Sequence, residues 1–509
     1  MAVTLGSTGI TFPDATTQTT AASAGGTRTF TTTGSVASAG LPVALNSDGT
    51  VSTTSSVSGA VTVANIKTGL ASMSATQANT TTIYNTTSSH YFVVYRTGGN
   101  ATCVAGTLSG STFTWGTALN LGSGSAISAA WDSTNNKYVV VYRDGSQNFV
   151  SVVVSVSGTT CSAGSIVTIS ADGNTQQGTM CSFDPVSGKI AALRIYDSTN
   201  YYWGAWVGTV SGTTVSWAGE TTVFGSTTNP APTNYPNSYS IKTINNGSMV
   251  ISSLTNTLGA AKVQSFTISG TSITAGDTQQ FTLPTGASTL TITPYISAGV
   301  WVVSVLGSSA VYTTLFSVSG TIVSAVYGYS STAWTSQISN ISNTDQISST
   351  YDSTADRIVI FAYWNNSLTA MMGQITTITV ASLSFPTANF VTVGNSSTQI
   401  HQNASTWSSG AGKTVVAYPL SNTVLNSGLL TTPYSTNQNF IGLSTASAAG
   451  GASLSCTIIG GVNTNVSGLT TNSIYYASPT GTLTTSNLGV GKVGRALSAT
   501  SILVTGGSS

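Results

Sequence analysis

One unit recurs through the middle of the chain and limits what it can fold into. An aromatic residue and Asp lead into a polar turn, a basic residue follows, and then comes a run of apolar, mostly β-branched and aromatic residues. It is plainest at Trp131-Asp-Ser-Thr-Asn-Asn-Lys-Tyr-Val-Val-Val-Tyr142. Phe183-Asp-Pro-Val-Ser-Gly-Lys189 and Tyr351-Asp-Ser-Thr-Ala-Asp-Arg357 repeat it, each followed by an apolar run. Fainter copies begin at Tyr84, Ile244, Ile296 and Trp407, so the steps between the seven starts are 47, 52, 61, 52, 55 and 56 residues. Ser-Gly turns at Gly110, Gly158, Gly212, Gly270 and Gly320 keep the same beat, 48, 54, 58 and 50 apart. A period near 50 residues built from short strands is the pattern of a propeller with four-stranded blades.

The expected fold is therefore all-β: a seven-bladed β-propeller over residues 61–440, flanked by an N-terminal segment (1–60) and a small C-terminal β module (441–509). Blade two sets the pattern. A first strand ends at Trp131, the turn runs from Asp132 to Lys137, and Tyr138 to Tyr142 is the second strand. Phe149 to Val156 is the third, and Cys161 to Ile169 the fourth. The second strand is continuously apolar, as a strand buried on both faces must be, and blades stacked on two neighbours supply that burial. The seventh copy lacks a clear fourth strand, so the segment Val61 to Ile66 is expected to complete it and close the ring.

Composition narrows the function classes. Of 509 residues only 5% are charged and 40% are hydrophobic, with Ser, Thr, Gly and Asn supplying the polarity. That apolar content in regular runs argues for folded β structure over disorder. A net charge of +1 without a basic run lacks the electrostatic footprint that nucleic acid requires. No stretch approaches the ~18 apolar residues of a membrane-spanning helix. The four cysteines (Cys103, Cys161, Cys181, Cys456) are far apart and read as free thiols rather than a metal site or disulfides. Met1-Ala-Val-Thr-Leu-Gly6 has neither the basic nor the apolar part of a secretory signal. A hydroxyl-rich β protein without such a signal fits a virus particle assembled in the host cytoplasm and released by lysis, or a signal-independent secretion route.

The ends carry a resemblance. Residues 1–60 hold no long apolar run and are punctuated by Pro13-Asp14 and Asp48-Gly49 turns, so they are expected to lie on a partner or on copies of themselves. Gly9-Ile-Thr-Phe-Pro-Asp-Ala-Thr-Thr-Gln-Thr-Thr20 and Leu41-Pro-Val-Ala-Leu-Asn-Ser-Asp-Gly-Thr-Val51 resemble N-terminal segments of tailed-bacteriophage virion proteins, especially tail-fibre-like ones. Gly468-Leu-Thr-Thr-Asn-Ser-Ile-Tyr-Tyr-Ala-Ser-Pro-Thr-Gly-Thr-Leu483 and the stretch 490–504 are similar to a closing module of phage fibre proteins. The four stretches that carry the resemblance cover about a tenth of the chain. It implies a structural virion protein of tail-fibre or spike type.

Residues that could carry chemistry are few. The acids are eleven Asp and one Glu (Glu220), whereas glycoside hydrolysis needs two carboxyls facing each other. Asp132, Asp184 and Asp352 fall at equivalent hairpins, where turn geometry favours Asp, and the S-x-D-x-G-x-T-W pattern of sialidase-type propellers is missing. Arg96, Arg143 and Arg194 end second strands in consecutive blades and could clamp a carboxylate, although Arg194 is one position out of register. His90 and His401 lack metal-ligand spacing. Gly412-Lys-Thr414 lacks the first glycine and the helix of a phosphate loop. Tyr201, Tyr202 and Trp203, with the Pro-rich insertion 229–239 carrying Tyr235 and Tyr239, offer flat aromatic faces beside Asn and Thr groups. That combination suits sugars, and ordinary packing between blades is its alternative.

The sequence thus reads as a virion protein without catalysis, cofactor or metal. It would bind neighbouring virion proteins through its N-terminal segment and a host surface glycan through its ring, as a homo-oligomer with a trimer favoured. The alternatives are a decoration protein with no receptor role, a propeller glycan hydrolase, and a bacterial surface adhesin.

Overall fold

The computed structural model describes residues 4–6, 9–11, 17–18, 26–45, 49–53, 60–68, 80–171, 175–196, 202–223, 239–244, 247–254, 260–283, 289–296, 299–307, 311–330, 347–353, 357–364, 367–373, 378–379, 382–383, 389–395, 403–421, 423–431, 440–477, 482–485 and 492–505. Among these there is no α-helix; the structure is all-β. The chain forms two compact units, one of Gly59–Thr431 and one made from both ends, Met1–Ser58 with Thr432–Ser509.

Gly59–Thr431 is a propeller. Among the described residues its blade strands form antiparallel sheets of nine, five, four, four, four and four strands, the nine-stranded one joining two consecutive groups, and the sheets themselves stay open. The first strand of each group touches the first strand of the next, and Ala404–Ser408 of the last touches Thr81–Asn85 of the first. The last group is Ala404–Ser408, Lys413–Ser421 and Val424–Thr431, completed by Ala60–Lys67, which pairs antiparallel with Val424–Thr431 from Leu425↔Lys67 to Thr431↔Ala60. The ring is thus closed by the strand expected to close it.

The apolar second strands are buried on both faces, and the core clusters show how. In Tyr91–Tyr95, Phe92 and Val94 pack with Tyr138 and Val140 of the second blade, while Val93 and Tyr95 pack with Ile66, Ala417 and Leu425 of the last. The Phe92 and Tyr138 rings stack at 4.1 Å. Val139 and Val141 turn the other way, onto Cys181, Ala192 and Trp206 of the third blade. Alternation along a strand, which elsewhere separates core from solvent, here separates one neighbour from the other. Val140 and Ile360 are 0% and 1% exposed. The faint copies behave alike: Met249–Leu254 and Val300–Leu306 are buried at every position.

Two details depart from the sequence reading. The fourth strands of blades two and three are broken, as in Thr160–Ala163 and Val167–Ser170 of blade two, and Thr112–Trp115 of blade one pairs only with the last residues of its neighbour, from Gly106 to Ser109. Leu119–Asp132 then does two jobs. Its first residues pair with Asn100–Ser109 of blade one and its remainder opens blade two, so these blades share one nine-stranded sheet. The register shifts between Ser125 and Ser128, where Ala126 takes a positive φ of 49°; such a bulge re-aims a strand from one sheet to the next.

The outer breaks also explain a set of glycines. A β-carbon added to Gly116, Gly164 or Gly276 would collide with the carbonyl oxygen of Thr159, Thr213 or Thr321, in the Ser-Gly-Thr turn of the following blade. Gly164→Val is therefore expected to destabilise the ring by ~1–3 kcal/mol through overpacking. Gly219→Ala, whose β-carbon meets nothing within 4 Å, should leave the denaturant midpoint unchanged. Equal midpoints for the two variants would refute the contact.

The second unit corrects the expectation that residues 1–60 stand apart from the C-terminal module. Thr27–Thr31 pairs with Ser453–Ile458, and Phe440–Ser444 pairs with both Ser453–Ile458 and Pro42–Leu45. Val36, Val43 and Val51 share a core with Leu454 and Cys456. Segments too poor in apolar residues to bury anything alone thus find their partner at the other end of the chain. The propeller accordingly stops at Thr431, and Phe440 belongs to the end unit. A second sheet there holds Ile474–Ala477, Lys492–Ser498 and Ser501–Val504 over a core that includes Leu443, Tyr475 and Ile502. Thr4–Gly6, Gly9–Thr11 and Thr17–Gln18 pair with one another; the Pro13-Asp14 turn lies outside the described residues.

Candidate functional site: the central channel

An innermost strand has one edge with no sheet partner, and its N–H and C=O groups need other company. The first strands of this ring are correspondingly rich in hydroxyls, which bond across blade boundaries. Cys181 N–H donates to Ser128 Oγ (3.2 Å), Ile292 N–H to Ser240 Oγ (3.4 Å) and Tyr84 N–H to Thr406 Oγ1 (3.3 Å). Hydroxyl pairs continue the stitching at Ser182–Thr243 (2.6 Å), Thr291–Ser349 (3.0 Å) and Ser348–Ser405 (3.0 Å). Together the seven first strands enclose a central cavity of about 460 Å³. Its described lining contains Ser, Thr and Asn side chains, the aromatic residues Trp131, Phe183 and Tyr239, and a single charged side chain, Lys242.

The conserved geometry of the repeat accounts for the acids. Asp132 is fully buried, and its carboxylate accepts the N–H groups of Thr134 and Asn135 at 2.9 and 3.0 Å. Asp184 accepts those of Val186 and Ser187, and Asn85 does the same for Thr87 and Ser88 in blade one. Asp352 is likewise buried at its hairpin. These are side-chain-capped turns, as the sequence reading preferred. The basic residue that ends each turn has a structural partner too. Lys137 Nζ donates to Ser155 Oγ at 2.7 Å and Lys189 Nζ to Thr209 Oγ1 at 2.8 Å, the same contact one blade on.

Two members of the expected aromatic rim are interior residues. Trp203 is 0% exposed and Tyr239 nearly so. Their rings meet edge to face at 5.0 Å inside a core shared by the third and fourth blades. Tyr202–Ser211 is a third strand, and Trp203 pairs opposite Ile195 in its interior, which removes it from any loop. Trp203 is therefore corrected from a ligand contact to packing, while Tyr239 packs on it and also borders the channel. Tyr202 lies at the start of that strand; Tyr201, Tyr235 and His401 lie outside the described residues, as does 229–238.

The arginines separate in the same way. Arg194 is fully buried with its guanidinium 5.1 Å from the centroid of the Trp206 ring, a cation–π contact inside a core. Arg96 and Arg143 are half-buried and come together: Arg96 Nε donates to the Gly124 carbonyl (3.1 Å), and Gly124 and Ser125 pair with Asp144 and Arg143. Burial holds both guanidinium groups below their ordinary value, and for Arg143 the Arg96 charge adds to it. Burial also lowers His90, which closes the first turn opposite Asn85. All four cysteines are free. No cluster of three His, Cys, Asp or Glu side chains suited to a metal occurs among the described residues.

No family model matches this sequence, and no curated protein matches it. Solved structures resemble its fold at low identity. AofleA from Arthrobotrys oligospora is 13% identical over 69% of this chain and 92% of its own, with a TM-score of 0.39. The six-bladed β-propeller lectin of Aleuria aurantia is 13% identical over 65% and 99%, with a TM-score of 0.40. The NanB sialidase of Streptococcus pneumoniae is 11% identical over 72% and 69%, with a TM-score of 0.41. Likenesses this distant transfer neither ligand nor activity.

Proposed function

We propose that this chain is a non-catalytic carbohydrate-binding propeller carried on a tailed-bacteriophage particle, with the ring as the binding element and the end unit as the attachment element. One observation carries the binding reading: a channel of monosaccharide-admitting size, lined by hydroxyl, amide and aromatic groups, whose described lining has no carboxylate. Its volume falls in the ~300–1,000 Å³ range of small-molecule sites, and such groups match sugar hydroxyls and ring faces. Hydrolysis needs paired carboxyls at the sugar, while Asp132 and Asp184 are committed to backbone N–H groups of turns. The particle assignment is supported by the end segments. The stretches 41–51 and 468–483, which resemble phage fibre segments from opposite termini, belong to one unit. That unit would hold neighbouring virion proteins, and a trimer would multiply weak sugar contacts.

The test is an array of bacterial surface polysaccharides probed with the full chain, paired with an assay for released reducing ends. Saturable binding without release is expected. Sustained release of reducing ends would make the protein a hydrolase. Antibody against the chain should label intact phage particles; label confined to the host envelope would instead favour an adhesin.

A further inference from the structure

Lys242 is the one charged side chain in the described lining of the channel. It lies in Tyr239–Thr243, the first strand of the fourth blade, opposite Val250. The two-residue period of a strand puts it on the same face as Ser240, whose Oγ receives the N–H of Ile292 from the fifth blade. Its lining neighbours on that side are Leu290 and Thr291, neither of which bears charge. Lys137 and Lys189, by contrast, are held by hydroxyls of their own sheets. Lys242 has no such bond among the described residues, and desolvation alone holds its ammonium below the usual lysine value. The channel also contains Thr82, whose Oγ1 is buried with no hydrogen-bond partner.

A cation held in a partly desolvated cavity without a counter-charge is costly unless something pairs with it. A neutral sugar site has no need of one. We infer that Lys242 makes the channel selective for a sugar bearing a carboxylate, such as a uronic acid residue, whose carboxylate pairs with the ammonium while the surrounding hydroxyls take its ring. This rests on the carbohydrate reading above and adds to it the class of sugar. Lysine serves here as a point charge with three donors, which tolerates several carboxylate approaches.

Calorimetric titration of the full chain with matched pairs, galacturonate against galactose and glucuronate against glucose, tests it. At least one uronate should bind ten-fold or more tightly than its neutral partner. Lys242→Met should abolish that preference, whereas Lys242→Arg should keep most of it. An unchanged denaturant midpoint for Lys242→Met confirms that the ring is intact. Equal affinity for both members of each pair overturns the inference and leaves the carbohydrate reading standing, as does a preference that survives Lys242→Met. Binding of none of the four sugars overturns both.

Discussion

Replacing Trp203 by alanine is expected to lower the stability of the ring by about 3–5 kcal/mol, the range for removing a large aromatic side chain from a packed core. Trp203 is fully buried and packs between the third and fourth blades with Tyr239, Met180, Leu193 and Ile251. The void would lie at a blade boundary, where two sheets meet only through side chains, so neither sheet can collapse alone to fill it. Trp203→Phe retains an aromatic partner for Tyr239 and should lose about half as much. The measurement is the urea midpoint by tryptophan-independent circular dichroism, with sugar binding per folded molecule as the companion readout. Binding should be unchanged below the transition. A variant of unchanged midpoint with lost binding would return Trp203 to a ligand-contacting role.

The second large effect concerns ring closure. A chain beginning at Gly59 loses the strands Thr27–Thr31 and Pro42–Leu45 of the end unit but retains Ala60–Lys67. It should show the propeller's own cooperative transition. A chain beginning at Thr68 also loses Ala60–Lys67, which leaves the Val424–Thr431 edge unpaired and takes Ile66 from the core it shares with Val93, Tyr95, Ala417 and Leu425. An apolar strand edge left open pairs with other chains, so this shorter protein should aggregate and lose its sharp transition. Identical melting curves and elution volumes for the two chains would contradict closure by this strand.

How far the sequence reached follows from what is local. The turn-and-strand unit is local, and Asp132, Asp184, Tyr138–Tyr142 and the closing segment at Val61 could all be read from composition and period. The pairing of Thr27–Thr31 with Ser453–Ile458 joins residues more than four hundred apart, and nothing in either stretch points to the other. Trp203 was misplaced because an aromatic cluster beside an insertion looks the same whether it faces solvent or the next blade; only the register opposite Ile195 decides. The channel is the extreme case. Each first strand contributes two to five residues, and a lysine flanked by Ile241 and Thr243 has no local feature that marks it. A signal was present in the hydroxyls that precede the repeat starts, as in Ile347-Ser-Ser-Thr-Tyr351 and Ala404-Ser-Thr-Trp407, which serve the unpaired inner edges.

The central claim, that the ring binds sugar in its channel without altering it, is tested most directly by a crystal structure of the full chain soaked with the tightest-binding array sugar. The account predicts intact sugar density inside the channel, in contact with the first strands near Ser240, Lys242 and Thr291. Density seated elsewhere on the ring with an empty channel, or a cleaved sugar in the channel, would contradict it.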